Sequence, residues 1–302
     1  MQTGPCGVLV VNKHEGVTSH DIVGKIRRLY GTRVVGHTGT LDPLATGVLV
    51  VLIGRAAKAA EYLVSDTKEY RATLKLGVVT DTEDITGEIL ERSAAIPTPA
   101  EVKAACLNFV GKIKQIPPMY SALKVGGKKL CDLAREGKVI EREARDIEIF
   151  SLDVKATDKS DEYVLDVKCS SGTYIRTLCA DIGASLGCGG AMATLERREA
   201  GGFCIGEAYS IAQLEAMSEE DRLALLRPTE SLFEDIPKLV LPEFYEKLSR
   251  NGCEIYQKKI KTAFAIGEKV RLYGKSGVFF ALGEVREYPD GSAVKAVKIF
   301  DI

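Results

Sequence analysis

Two short uncharged runs constrain this chain most. Gly7–Asn12 (GVLVVN) and Val48–Ile53 (VLVVLI) are rich in valine and bear no charge. Runs this short and this apolar read as buried strands. Between them, Thr18-Ser19-His20-Asp21 opens a helix with a cap residue and an acid in its first turn. That helix would place Ile22, Ile26 and Leu29 on one face and close at Gly31. Arg33–Gly47 is then a loop dense in glycine, threonine and proline.

The same reading extends along the chain. A helix is expected over Ala56–Val64 and an alternating strand over Glu69–Leu76, followed by a polar turn at Asp81–Gly87. Thr98-Pro99-Ala100-Glu101 is a helix start with cap, proline and acid in order. Gln115–Gly127 carries Pro117-Pro118 and Gly126-Gly127 and reads as irregular or hairpin structure. A short helix follows over Lys129–Arg135. Strands are expected at Ile147–Val154 and Tyr163–Cys169, and an amphipathic helix at Thr173–Leu186. The capping box Ser210-Ile211-Ala212-Gln213 starts a helix expected to run to about Leu226.

Pro228–Pro242 is the expected boundary region. Beyond it, Lys269–Tyr273, Val278–Val285 and Ala293–Phe300 read as strands separated by Gly and Pro turns. The fold class is therefore α+β: a main domain over 1–230 with a mixed or antiparallel sheet, and a small β barrel over 231–302.

The formal net charge is −1, so the total does not mark a polyanion binder, but its distribution is uneven. Lys25, Arg27, Arg28 and Arg33 stand together without an acid. Lys112, Lys114, Lys124, Lys128, Lys129, Arg135 and Lys138 face only Asp132 and Glu136. Such stripes fit a polyanion held at one face, or two solvated surfaces. The eight cysteines form no CxxC and the three histidines all precede residue 40, which gives no zinc spacing. No P-loop or dinucleotide motif is present, so no metal or other cofactor is expected. No secretory signal and no run long enough to span a membrane are seen, and scattered thiols then suggest a reducing cytoplasm.

Gly36-His37-Thr38-Gly39-Thr40-Leu41-Asp42-Pro43-Leu44-Ala45-Thr46-Gly47 is the most informative stretch. Its glycines permit tight turns and close approach, and Pro43 restricts Asp42 to an extended conformation. Asp42 is thus a carboxylate on a stiff loop, either a turn cap or a catalytic group. Tyr70 alone reads as a strand residue facing the core or as a flat platform for a base. Arg176 alone reads as a helix-surface residue or as a carboxylate partner.

This stretch resembles the catalytic motif of the TruB family of tRNA pseudouridine synthases, and further matches follow in order. Asn12-Lys13-His14-Glu15-Gly16 is similar to the first family motif, with His14 where proline is usual. Lys68-Glu69-Tyr70 and Thr80-Asp81-Thr82-Glu83-Asp84 resemble the next. Gln115–Lys124, Cys169–Leu178 and Leu195-Glu196-Arg197-Arg198 complete the set. Val270–Phe300 is similar to a PUA domain, a small RNA-binding β barrel.

The resemblance implies the roles. Asp42 would be the catalytic carboxylate, Tyr70 the aromatic that stacks on the target base and handles protons, and Arg176 the partner of Asp42. His37 would fill space vacated by flipped nucleotides, and Asp84, Tyr174 and Leu195 would line the pocket. Lys13, Lys124, Lys128 and Lys129 would contact substrate, the last three from an RNA-gripping insertion over 111–145. Cys131 stands there where tyrosine is expected. The implied substrate is uridine 55 in the TΨC stem-loop of tRNA, and a stand-alone monomer without guide RNA is expected. Cleaving N1–C1′ and joining C5 to C1′ develops charge that a carboxylate can meet by covalent attack or by taking a sugar proton, and the residues do not choose between these. Three other readings remain at this stage: an RNA-binding chaperone, a guide-dependent relative with an N-terminal extension, and a nucleoside hydrolase.

Overall fold

Residues 4–63 and 67–300 are described by the structure, a computed structural model. The main sheet begins with β1 (Gly7–Lys13), β2 (Val35–His37), β3 (Thr46–Ile53) and β4 (Lys68–Leu76). A side hairpin, β5 (Val78–Thr80) and β6 (Ile89–Arg92), follows, then β7 (Gly111–Gln115) and a second hairpin, β8 (Lys124–Val125) and β9 (Lys128–Lys129). The chain returns to the sheet with β10 (Arg145–Ala156), β11 (Glu162–Cys169), β12 (Gly190–Ala200), β13 (Phe203–Cys204) and β14 (Tyr209–Ser210). The strand order is β14-β1-β3-β12-β4-β11-β10-β7, with β2 added to β3 and β13 to β12. Two neighbours on this path, β14 with β1 and β12 with β3, are parallel. The sheet is thus mixed, as expected.

The uncharged runs are explained by burial on both faces of the sheet. Leu9, Val11, Leu49, Val51 and Ile53 pack under α1 (Ser19–Leu29), against Ile22, Val23 and Ile26. The alternate residues Val8, Val10, Val48, Val50 and Leu52 pack on the other side with Ala56, Ala200 and Phe203. Helix α1 is capped by Thr18, whose hydroxyl accepts from Asp21 N–H while the Asp21 carboxylate returns to the Thr18 N–H.

The other half of the sheet is covered on one face only, and its strands alternate accordingly. Tyr70, Ala72, Leu74 and Leu76 face a core with Val102 and Cys106 of α2 (Pro99–Leu107). The open face is polar: Arg71 and Asp166 pair at 2.7 Å, and Lys168 and Glu69 at 2.9 Å. Because β7 and β10 pair directly, with Gln115 opposite Arg145, residues 116–144 leave the sheet edge and return to it. This excursion holds the β8–β9 hairpin and α3 (Leu130–Arg135). Helix α4 (Ile175–Ser185) then packs Ile175, Leu178, Cys179 and Ile182 into the same core.

Two expectations need correction, and one strand has no counterpart among them. The helix at Ala56–Val64 is a 3-10 segment over Gly54–Tyr62, and Val64 itself lies outside the described residues. The helix from Ser210 to Leu226 is two helices, Ile211–Ala216 and Glu219–Ala224. Ser218 breaks it, because its hydroxyl accepts from Asp221 N–H and caps a new start. Strand β12 was not anticipated beyond its motif, since GAMATLERREA lacks β-branched residues apart from Thr194 and ends in charges. Its position between β3 and β4 makes it a strand regardless.

The C-terminal part is a second sheet of β15 (Lys238–Val240), β16 (Ile255–Tyr256), β17 (Lys269–Tyr273), β18 (Phe279–Tyr288) and β19 (Gly291–Ile299), in the order β15-β17-β18-β19-β16. It has its own core of Leu239, Leu241, Ile255, Val270, Leu272, Phe280 and Val294. Ala59, Phe233, Leu282 and Phe300 join it to the main unit. The curled half-barrel is consistent with a PUA-like domain. Among the described residues, no helix is long and apolar enough to cross a membrane.

Candidate active site

The Asp42 loop is held by its backbone. Gly39 O and Thr40 O accept from the Arg197 guanidinium at 3.0 and 3.4 Å. Leu41 O and Leu41 N–H both bond the Ser19 hydroxyl of α1, at 3.1 and 2.9 Å. Asp42 O accepts from Ala45 N–H at 3.0 Å, and Pro43 O from Gly16 N–H at 2.9 Å. Five successive carbonyls therefore have partners, four of them supplied by side chains or backbone from elsewhere in the chain. The loop is stiff for a reason that its own glycines and proline do not supply.

Lys13 is part of this clamp. Its side chain is fully buried at the end of β1, and its ammonium donates to Val17 O at 2.8 Å, His14 O at 3.0 Å and Pro43 O at 3.3 Å. The expectation that Lys13 contacts substrate is thus not met: the ammonium is committed to three carbonyls beneath the loop. Burial pulls its pKa down to about 8, partly offset by Asp42. Replacing it by methionine leaves those carbonyls short of donors, and we expect a loss of about 1–3 kcal/mol in folding stability. The pH dependence checks the cause. Between the folded pKa of about 8 and the unfolded value of 10.5, the unfolded chain holds more protons. Lys13 therefore makes stability rise with pH in that window. The stability gap between wild type and K13M should widen from pH 8 to 10.5, read from denaturant midpoints.

Asp42 projects from this loop toward Arg176. The Arg176 Nε lies 3.0 Å from the Asp42 carboxylate, whose side chain is 39% exposed against 6% for Arg176. The same guanidinium donates to Thr82 O at 3.0 Å and Tyr120 O at 2.7 Å, and stands 3.8 Å from Asp84. Asp84 is buried and also accepts from Thr82 Oγ1, Thr86 N–H and Thr86 Oγ1. Arg176 sits in the first turn of α4, where its charge opposes the helix dipole, so the two carboxylates compensate it. The start of α4 is fixed by Gln115, which donates to Tyr174 O and accepts from Tyr174 N–H.

These groups border a pocket of about 600 Å³, within the usual size for a small-molecule site. Asp42, Tyr70, Asp84, Tyr174, Arg176 and Leu195 all line it. Tyr70 is buried on β4, and burial raises its hydroxyl pKa, with Arg197 opposing. Tyr120, Ser121, Ala122, Cys131 and Arg135 supply a wall from the 116–144 excursion. His37 is not among the lining residues; it packs edge-on to His20 at 6.2 Å, and burial lowers its pKa. Lys128 is exposed on the hairpin, away from the lining. The side chains of Lys124 and Lys129 lie outside the described part of the structure.

Sequence reasoning did not single out Ser19, Gln115 or Arg197. Arg197 was within reach: Leu195 was expected to line the pocket, and the residue two along a strand shares its face. Among the described residues, no cluster of side chains could hold a metal ion.

Solved structures place this architecture. An archaeal box H/ACA Nop10-Cbf5 complex matches over 99% of this chain and 87% of that one, with TM-score 0.71 at 23% identity. A Cbf5-Nop10-Gar1 complex matches over 98% and 85%, with TM-score 0.73 at 23% identity. The fold is that of the pseudouridine synthases, a mixed central sheet with flanking helices. The sequence narrows this. A family model described as TruB family pseudouridylate synthase (N terminal domain) matches residues 27–175, and one described as tRNA pseudouridylate synthase B C-terminal domain matches 176–234. Proteins named tRNA pseudouridine synthase B are similar in Alkaliphilus oremlandii, at 43% identity over 88% of this chain and 89% of that one, and in Francisella philomiragia, at 46% over 78% and 79%. The chain belongs to the TruB family.

Proposed function

We propose that this chain is a tRNA pseudouridine synthase that isomerises uridine 55 of the TΨC loop, with Asp42 as its catalytic carboxylate. The observation that carries the reading is the half-exposed Asp42 carboxylate, bonded to buried Arg176 at 3.0 Å, at the edge of a pocket that Tyr70 also lines. Uridine reaches such a pocket only when extruded from its stack, which costs a few kcal/mol. In the pocket, Tyr70 offers a flat face to the uracil and a hydroxyl in one side chain. Breaking N1–C1′ leaves electron deficiency on the sugar and negative charge on the uracil. The Asp42 carboxylate meets the first, by attack or by accepting a sugar proton, and the released ring turns. As C5 joins C1′ the Asp42–C1′ bond breaks or the sugar proton returns, C5 gives up its proton and N1 gains one, so the net change is an isomerisation. Arg176 holds the carboxylate in place throughout.

The catalytic unit is taken as residues 1–230, with the excursion within 111–145 as the RNA-gripping element and 231–302 as an RNA-binding unit. Lys124, Lys128 and Lys129 would meet the phosphate backbone from the hairpin, and His37 the space left by flipped nucleotides. The enzyme would act in the cytoplasm as a monomer, on tRNA alone. The likeness to Cbf5 complexes keeps a guided reading in view. One experiment tests both: purified protein is incubated with unmodified tRNA and no other RNA, and modified positions are mapped. Conversion at uridine 55 is expected. Modification elsewhere refutes the substrate, and none without guide RNA refutes the stand-alone reading.

A further inference from the structure

Arg197 is 1% exposed and heads the largest fully buried side chains. A buried cation is costly unless its donors are paired. The acceptors on its nitrogens are neutral carbonyls: Val48 O at 2.8 Å, Gly39 O at 3.0 Å and Thr40 O at 3.4 Å. Its charge also opposes the rise that burial gives the Tyr70 hydroxyl pKa. An apolar residue could fill this volume, so the guanidinium needs a reason beyond packing.

Its position supplies one. Strand β12 runs between β3 and β4, and Arg197 is registered opposite Gly47 on one side and Tyr70 on the other. At Gly47 (φ +100°) a Cβ would stand 2.2 Å from Arg197 O, so glycine is required for the strand backbones to come this close. From there the side chain reaches the start of the Asp42 loop at Gly39 and Thr40 and its end at Val48. One residue thus bonds both ends of the loop from the strand position opposite Tyr70. Tyr70 and Arg197 both line the pocket.

We propose that Arg197 is a positioning residue: by holding both ends of the Asp42 loop it sets the Asp42 carboxylate against Tyr70 across the pocket. This rests on the functional reading above. The test compares wild type, R197M and R197K on one unmodified tRNA, measuring kcat, KM and melting temperature. For R197M, kcat per folded molecule should fall about 100-fold while KM stays within about threefold, because displacement of roughly 1 Å at reacting groups costs that much. R197K keeps the charge at a single point and should recover part of the loss, to about tenfold below wild type. A purely structural residue would lower the melting temperature and leave kcat per folded molecule unchanged. A folded R197M or R197K with wild-type kcat overturns the proposal; if R197M does not fold, R197K decides alone. A wild-type chain that makes no pseudouridine overturns the functional reading and this proposal together.

Discussion

Asp42→Ala should abolish pseudouridine formation, lowering kcat by more than about 1000-fold, while tRNA affinity stays within about threefold. The split follows from how the loop is built. The loop is held through the carbonyls of residues 39 to 43, by Arg197, Ser19, Ala45, Gly16 and Lys13. None of those bonds uses the Asp42 carboxylate. Alanine before Pro43 keeps the extended backbone that proline demands. What is lost is the charged group facing the pocket and its 3.0 Å contact with Arg176. Asp42→Asn is the sharper control, because it keeps the volume and can still accept from Arg176. It should be nearly as inactive if charge is what the reaction needs. Product is read by chemical labelling of pseudouridine with primer extension, and binding by filter retention. Substantial product from D42A would remove this carboxylate from the mechanism.

The sequence disclosed the site unevenly. Asp42, Tyr70 and Arg176 were named from motifs, and the pocket brings all three together. Strand and helix types were legible where a period or a cap dominated, as in β1, β3, α1 and α2. Strand β12 was hidden because tertiary position overrides the helix-like composition of its residues. The clamp on the loop was hidden for a different reason. Ser19, Lys13 and Arg197 act through backbone carbonyls far along the chain, and a carbonyl has no sequence signature. Lys13 shows the cost: as a lysine in a motif it reads as a substrate contact, whereas burial turns it into a brace for Pro43. Charge read from sequence locates cations but not which way they face.

Arg176→Met should be the most destabilising substitution at the site, costing about 3–5 kcal/mol, the usual result of removing one partner of a buried ion pair. The guanidinium joins three separate segments: the Asp42 loop, the turn at Thr82–Asp84, and the Tyr120 loop of the excursion. Methionine fills similar volume but leaves Thr82 O and Tyr120 O without this donor and Asp84 buried without its cation. Activity should fall with stability, because Asp42 loses the group that orients it and the Tyr120 wall loses its tie. Lysine at this position should rescue poorly, since one ammonium cannot serve acceptors arranged around a planar fork. The cause can be separated from the effect. If the unpaired Asp84 charge accounts for much of the loss, R176M/D84N should be more stable than R176M while remaining inactive. Amide replacement keeps an acceptor for Thr82 and Thr86 and removes the uncompensated charge. Equal denaturant midpoints for R176M and R176M/D84N would show that the lost carbonyl ties, and not the stranded carboxylate, hold this corner of the fold together.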